Sequence, residues 1–183
     1  KRLTAPYDFC TSLQRCFPNL QHLAIVGCEY ELGGNTLLTL LNQWQLTTLV
    51  LDTGIFDTVS QITALTDRIN SIPTLKHLFL GCSMKNIVSH LAPTLARLDR
   101  FAIESFNDAS VAFQHLGPNC TRLWYAVRFL VTPPRPTDSQ LLTSLSPLLL
   151  GQLTHLRLKF IYSATSIHRL CEDATNLQHL AIC

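Results

Sequence analysis

Histidine and cysteine are the residues of this 183-residue chain that could do chemistry, and the sequence contains seven of each. A structural or catalytic zinc ion takes three or four protein ligands. His155 and His179 occupy equivalent places in the repeat pattern described below, so they could approach each other, but Cys183 is the only obvious third ligand. We therefore predict no metal site and no cofactor.

Catalysis by a cysteine nucleophile would require a thiolate beside a histidine and an orienting group. Cys28 and Cys120 fall at positions that the repeat buries, which indicates inert thiols. The sequence also lacks G-x-S-x-G, H-E-x-x-H and P-loop motifs. We expect a protein that is not an enzyme. The odd number of cysteines without a C-x-x-C pair favours a reducing compartment, cytoplasmic or nuclear.

Two identical heptapeptides, N-L-Q-H-L-A-I, organise the chain at residues 19–25 and 176–182. Their apolar pattern, L-x-x-L-x-L/I, recurs between them with some variation. The seven cores start at residues 20, 46, 75, 98, 120, 153 and 177, so successive starts lie 22 to 33 residues apart. Such a pattern at this kind of period is the signature of a leucine-rich repeat.

This pattern predicts an α/β leucine-rich-repeat solenoid of about seven irregular repeats. Parallel strands need a crossover connection, which a helix can supply. Because strands stack more closely than helices, the parallel β-sheet should line the concave face and the helices the convex face. The predicted helices span residues 35–44, 57–72, 85–91, 108–116, 138–150 and 163–172. Asn35 and Asp57 are the expected N-caps, and Pro93 is expected to end the third helix.

The side chains between the core leucines should point into the concavity, because alternate residues of a strand face opposite sides. The first column, just before the second apolar position, contains His22, Thr48, His77, Arg100, Arg122, His155 and His179. The second column, just after it, contains Ala24, Val50, Phe79, Ala102, Trp124, Arg157 and Ala181. The third column contains Val26, Asp52, Gly81, Glu104, Ala126, Lys159 and Cys183.

Four histidines, two arginines and no acid make the first column basic, and the second adds two aromatic rings and an arginine. Aromatic residues and arginine are the usual anchors of protein interfaces. We predict a site for a protein or peptide with acidic or phosphorylated groups, formed by Phe79, Arg100, Arg122, Trp124, His155 and Arg157. The alternative is that duplication of the repeat propagated the histidines without a binding role.

Residues 1–183 are predicted to form a single leucine-rich-repeat domain, and we expect it to be a fragment of a longer chain. Residues 1–19 look like the tail of a preceding repeat, and residues 131–137, with P-P-R-P, like a surface insertion. Charged residues make up 14% of the chain, the net charge is +2 and no basic run occurs. We therefore expect no nucleic-acid partner. No apolar run approaches the length of about 20 residues that spans a bilayer, so we expect no membrane partner.

The segment of residues 16–28 resembles the cysteine-containing leucine-rich repeat, C-P-x-L-x-x-L-x-L-x-x-C. The chain as a whole looks like the repeat region of F-box/leucine-rich-repeat proteins. That resemblance implies the target-recognition arm of an SCF-type E3 ubiquitin ligase. The concave sheet would select a protein target, and an F-box upstream of this segment would dock the SCF adaptor. A generic cytoplasmic leucine-rich-repeat scaffold, or a ribonuclease-inhibitor-like or immune-sensor repeat domain, is the alternative.

Overall fold

A computed structural model describes residues 12–27, 34–52, 58–81, 87–104, 106–126, 145–158 and 164–182. Seven parallel strands form one open sheet in chain order. They are β1 (His22–Val26), β2 (Thr48–Asp52), β3 (His77–Leu80), β4 (Arg100–Ile103), β5 (Arg122–Tyr125), β6 (His155–Leu158) and β7 (His179–Ile182). All seven predicted strand cores are confirmed.

Helices alternate with the strands. They are α1 (Gly34–Leu41), α2 (Val59–Asn70), a 3-10 turn (Val88–Leu91) that runs into α3 (Ala92–Leu95), α4 (Phe106–His115), α5 (Pro147–Gln152) and α6 (Ala164–Asp173). Strands contact the next strand and helices contact neighbouring helices. The chain is therefore an α/β leucine-rich-repeat solenoid of about seven repeats, as predicted. In the described residues, no helix is long and apolar enough to cross a membrane.

The leucine positions of the repeat form the core between sheet and helices. In β3, Leu78 and Leu80 are buried, whereas His77 and Phe79 are only partly so. The same alternation recurs in β4, where Phe101 takes the place of the leucine. A fully buried Leu or Phe side chain contributes about 1.5–3 kcal/mol. Burial of the apolar side chains on one face of the strand therefore determines which side chains lie on the opposite, outward face.

Each strand is aligned with its neighbour by a shared acceptor at its start. The amides of Lys76 and His77 both donate to the carbonyl of Thr47, at 2.9 and 3.0 Å. The amides of Asp99 and Arg100 likewise both donate to the carbonyl of Lys76, and the pattern recurs at all six strand interfaces. Because a one-residue slip would turn every side chain to the other face, this repeated bond keeps the outward columns in register.

Arginines join neighbouring repeats on the helical side. Arg68 donates through Nε and Nη2 to the carbonyl of Leu41, at 3.1 and 2.8 Å, where α1 ends. Arg97 donates through Nη2 to the carbonyls of Ile72 and Asn70, at 2.7 and 3.1 Å, where α2 ends. The last carbonyls of a helix have no partner inside it, so each arginine caps the helix of the preceding repeat. These caps were not predicted from the sequence.

Two of the expected helix boundaries are wrong. Asn35 lies inside α1 rather than ahead of it. Pro93 lies in the first turn of α3 instead of ending a helix. Proline is tolerated in a first turn because the amide that it lacks would have no acceptor there.

The start of α2 also differs from the prediction. Thr58 caps the helix, and its hydroxyl accepts from the amide of Gln61 at 3.3 Å. Thr58 follows the expected cap, Asp57, directly in the chain, and threonine and aspartate are both favoured N-cap residues. Val59, the first residue of α2, is 82% exposed, whereas Leu65 is buried. Residues 1–11 and 131–137, and Asp57 itself, lie outside the described residues, so the predictions made for them stay predictions.

Candidate functional site

The outward side chains of strands β2 to β7 line a groove of about 760 Å³ on the sheet. The structure brings all six predicted site residues together in this groove: Phe79, Arg100, Arg122, Trp124, His155 and Arg157. Strands in a sheet lie about 4.8 Å apart, so equivalent positions of neighbouring repeats fall side by side. The first and second columns are confirmed as two parallel rows across the groove.

The first row is basic at its centre. His77, Arg100, Arg122 and His155 lie opposite one another in four consecutive strands. Both arginines are exposed. In the described part of the chain, neither Arg100 nor Arg122 forms an ion pair. Asp99, one position before the row, pairs instead with Lys76 at 3.8 Å. We call the four residues His77, Arg100, Arg122 and His155 the basic row.

The second row holds a pair of aromatic rings. Phe79, Ala102 and Trp124 are neighbours on three consecutive strands. Because Ala102 leaves space between them, the rings of Phe79 and Trp124 meet above it, with centroids 5.4 Å apart and planes at 41°. The guanidinium carbon of Arg157 lies 4.8 Å from the centroid of the Trp124 ring. This distance suits a cation–π interaction. The result is an apolar platform with a cationic edge.

Histidines in both halves of the first column lie within hydrogen-bond distance of threonine hydroxyls. Nδ1 of His22 lies 2.8 Å from Oγ1 of Thr48, which lies 3.1 Å from Nδ1 of His77. At the other end, Nδ1 of His155 lies 2.9 Å from Oγ1 of Thr154. Sequence reasoning assigned no role to Thr48, although its place in a column of histidines was the available signal.

Two of these histidines have a lowered pKa. For His77 the main cause is partial burial, followed by the positive charge of Arg100, while Asp99 acts in the opposite direction. For His155 the causes are burial, then Arg122 and His179. Both rings are therefore mostly neutral at pH 7. At that pH the positive charge of the basic row comes from its arginines.

In the described residues, the third column contributes no side chain to the groove. Asp52 is 9% exposed and Ala126 is buried. A Cβ atom placed on Gly81 would overlap the Asp52 carboxyl group, so that side chain lies across the glycine. These residues are therefore shielded from solvent, and the prediction that they face the concavity stays a prediction.

The histidines and cysteines that were considered as metal ligands or nucleophiles do not form a cluster in the described residues. The imidazoles of His155 and His179 are stacked, with centroids 4.2 Å apart, and Cys183 lies outside the described residues. No group of three or more metal-ligating side chains occurs in the segments that the structure describes. The predicted burial of Cys120 is confirmed, and this burial raises the pKa of its thiol to about 12; its lack of reactivity stays a prediction. Cys28 lies outside the described residues.

Fold and groove together define a leucine-rich-repeat protein with a basic, aromatic-lined concave face. No protein-family model and no curated protein matches the chain. Function is therefore inferred from the groove itself.

Proposed function

We propose that this protein is a non-catalytic protein-binding module whose concave groove holds an acidic segment of a partner protein. One observation carries the proposal: the Phe79–Trp124 platform, edged by Arg157, lies beside the basic row. Tryptophan, phenylalanine and arginine at the centre of a concave surface are typical interface anchors.

The platform is suited to binding because it is already assembled. Phe79 and Trp124 are partly exposed on short, paired strands. Aromatic rings lose little conformational freedom on binding and bury a large apolar area. A partner side chain placed on them therefore gains contact area at low entropic cost.

The second column favours binding over simple propagation of the repeat. Most of its members are small: Ala24, Val50, Ala102 and Ala181. Phe79 and Trp124 depart from this pattern, and they lie close together on the same sheet surface. Because that surface faces solvent, small or polar side chains would be expected there if it had no binding role. Hydrogen bonds to threonine account for three of the four histidines in the first column, His22, His77 and His155, but no such bond accounts for the rings of Phe79 and Trp124.

The specific setting that we propose is target recognition for an SCF-type E3 ubiquitin ligase. The support is the resemblance of the repeat at residues 16–28 to those of F-box/leucine-rich-repeat proteins. The partner in the groove would then be the ligase target, in the cytoplasm or nucleus. Co-purification of the SCF adaptor with the protein expressed from its natural transcript tests this setting. A protein that binds its partner without the adaptor would indicate a leucine-rich-repeat scaffold instead.

Site-specific photo-crosslinking tests the binding proposal. A photoreactive residue is placed at Val50, which lines the groove, and in a matched control at Gln114, which is exposed on α4. We expect a discrete crosslinked protein at position 50, absent at position 114 and lost when Trp124→Ala is added. Crosslinking of the same proteins at both positions, or a position-50 product unaffected by Trp124→Ala, would refute binding in the groove.

A further inference from the structure

We infer that the basic row is a phosphate subsite and that the bound segment carries a phosphorylated serine or threonine two residues from a bulky apolar side chain. This inference rests on the proposed function and makes its ligand specific. It starts from Arg100 and Arg122, which are the central pair of the row.

Arg100 and Arg122 lie directly opposite each other on adjacent strands. Like charges in this arrangement destabilise a sheet, and no ion pair in the described residues relieves the repulsion. A phosphate monoester carries a charge of about −1.5 to −2 and three strong acceptor oxygens. It can therefore bond to both guanidinium groups at once, whereas a carboxylate has one charge and two oxygens for the same pair.

Histidines flank the arginines on both sides. Nδ1 of His77 is engaged by Thr48 and Nδ1 of His155 by Thr154. In the described residues, Nε2 of each ring has no hydrogen-bond partner. Each Nε2 can therefore donate to an anion bound between the arginines, either as the neutral tautomer or after protonation. Four donor groups thus lie in a row on consecutive strands, and the central pair, Arg100 and Arg122, is the pair that one anion can bridge.

The spacing of the two rows defines the rest of the ligand. Arg122 and Trp124 are two residues apart on β5, which corresponds to about 6.6 Å along a strand. In an extended peptide, residues i and i+2 also face the same side at this spacing. A phosphorylated residue over the basic row therefore places the residue two positions away over the Phe79–Trp124 platform. A short phosphoserine or phosphothreonine side chain keeps the peptide backbone close enough for both contacts.

A nucleic acid would also supply phosphates, but the groove does not suit a polyanion. The basic row contains two arginines, and the whole chain has a net charge of only +2. Nucleic-acid surfaces present a longer track of lysine and arginine along the phosphate backbone. A single phosphate next to an apolar contact fits the arrangement better.

Peptide libraries test the inference with the full chain. Three libraries have random flanks around a fixed central phosphoserine, serine or aspartate. We expect at least about tenfold higher retention of the phosphoserine library, the ratio that one additional charge-assisted hydrogen bond can supply. The double variant Arg100→Gln, Arg122→Gln should reduce retention to the serine level, and Arg15→Gln, an exposed arginine outside the groove, should not.

Sequencing of the retained peptides tests the spacing. We expect enrichment of Phe, Leu, Ile or Met two positions from the phosphoserine, and Trp124→Ala should remove this enrichment but not the phosphate dependence. Equal retention of the phosphoserine and aspartate libraries, both above the serine library and both abolished by Trp124→Ala, would overturn the phosphate subsite and leave the proposed function intact. Preference for a phosphotyrosine library, or equally tight binding of a single-stranded RNA oligonucleotide, would also overturn it. Binding of no library overturns the inference, and a failure of the groove crosslink in addition would overturn the proposed function.

Discussion

Replacing Arg97 by methionine should destabilise the solenoid through the end of α2. Nη2 of Arg97 lies 2.7 Å from the carbonyl oxygen of Ile72, 3.1 Å from that of Asn70 and 3.3 Å from Oγ1 of Thr94. Methionine retains most of the aliphatic stem but donates no hydrogen bond. The change therefore separates the capping bonds from the packing of the side chain.

The magnitude follows from the groups that lose a partner. A hydrogen bond from a charged donor contributes about 1.5–3 kcal/mol, and a buried acceptor left without one costs about 1–3 kcal/mol. Three features reduce the loss. The carbonyl of Ile72 also accepts from the amide of Leu75 at 3.3 Å, so it keeps one partner. Arg97 is partly exposed, so water can replace some of these bonds, and its own Nε is buried with no acceptor in the described residues. We expect a decrease of about 2 kcal/mol in the free energy of unfolding.

Urea denaturation followed by circular dichroism measures this change. The dependence of the unfolding free energy on urea concentration should keep the same slope in the variant, so that a shifted midpoint reports stability. Arg100→Met is the matched control, because Arg100 is exposed on the concave face and forms no ion pair in the described part of the chain. Arg100→Met should be neutral or stabilising by up to about 1 kcal/mol, because it removes the repulsion from Arg122 on the adjacent strand. If Arg97→Met lowers the stability no more than Arg100→Met does, the capping argument is wrong and the stem alone accounts for the packing.

Three further outcomes are expected. In the urea assay, Gly117→Ala should lower the free energy of unfolding by about 1–3 kcal/mol, because its new Cβ would overlap a backbone carbonyl of the preceding repeat. A Cβ on Gly151 would instead lie 3.6 Å from the nearest backbone oxygen, so Gly151→Ala should be neutral or stabilising. Because the pKa values of His77 and His155 are lowered in the folded state, the unfolded chain binds more protons, so stability should fall as the pH drops below about 6.5. Replacing both histidines by asparagine should flatten this pH dependence of the unfolding free energy, and an unchanged slope would show that other groups cause it. Cys120, with a pKa of about 12, should resist iodoacetamide at pH 8 in the folded protein, while the exposed Cys16 and Cys171 react. Peptide mapping identifies the modified residues, and rapid modification of Cys120 would contradict its burial.

The sequence by itself determined the strands and their register. Leucine recurs at the same places in each repeat, and burial of an apolar side chain is strong enough to select one face of a four-residue strand. In the fourth repeat, Leu98 and Phe101 are buried and Arg100 is exposed, as a core that starts at Leu98 requires. Once the register was known, the composition of the first two columns followed directly.

Helix boundaries followed less well, because they depend on local backbone geometry that several residue types can satisfy. Thr58 and Asp57 are both good caps, and the extended conformation of Thr58 decides which one is used. Pro93 can either end a helix or begin one. Its position in the first turn of α3 depends on how the 3-10 turn before it packs on α2 and α4.

Tertiary structure alone decided the contacts between residues 20 to 50 positions apart. The sequence placed Phe79 and Trp124 on one surface, but their rings meet because Ala102 lies between them on β4. It gave no sign that Asp52 would lie across Gly81. Such contacts depend on strand spacing, sheet curvature and the side chains of intervening repeats, none of which a local pattern specifies. The periodic leucines therefore define the scaffold, and the shape of the candidate site emerges only when neighbouring repeats are stacked.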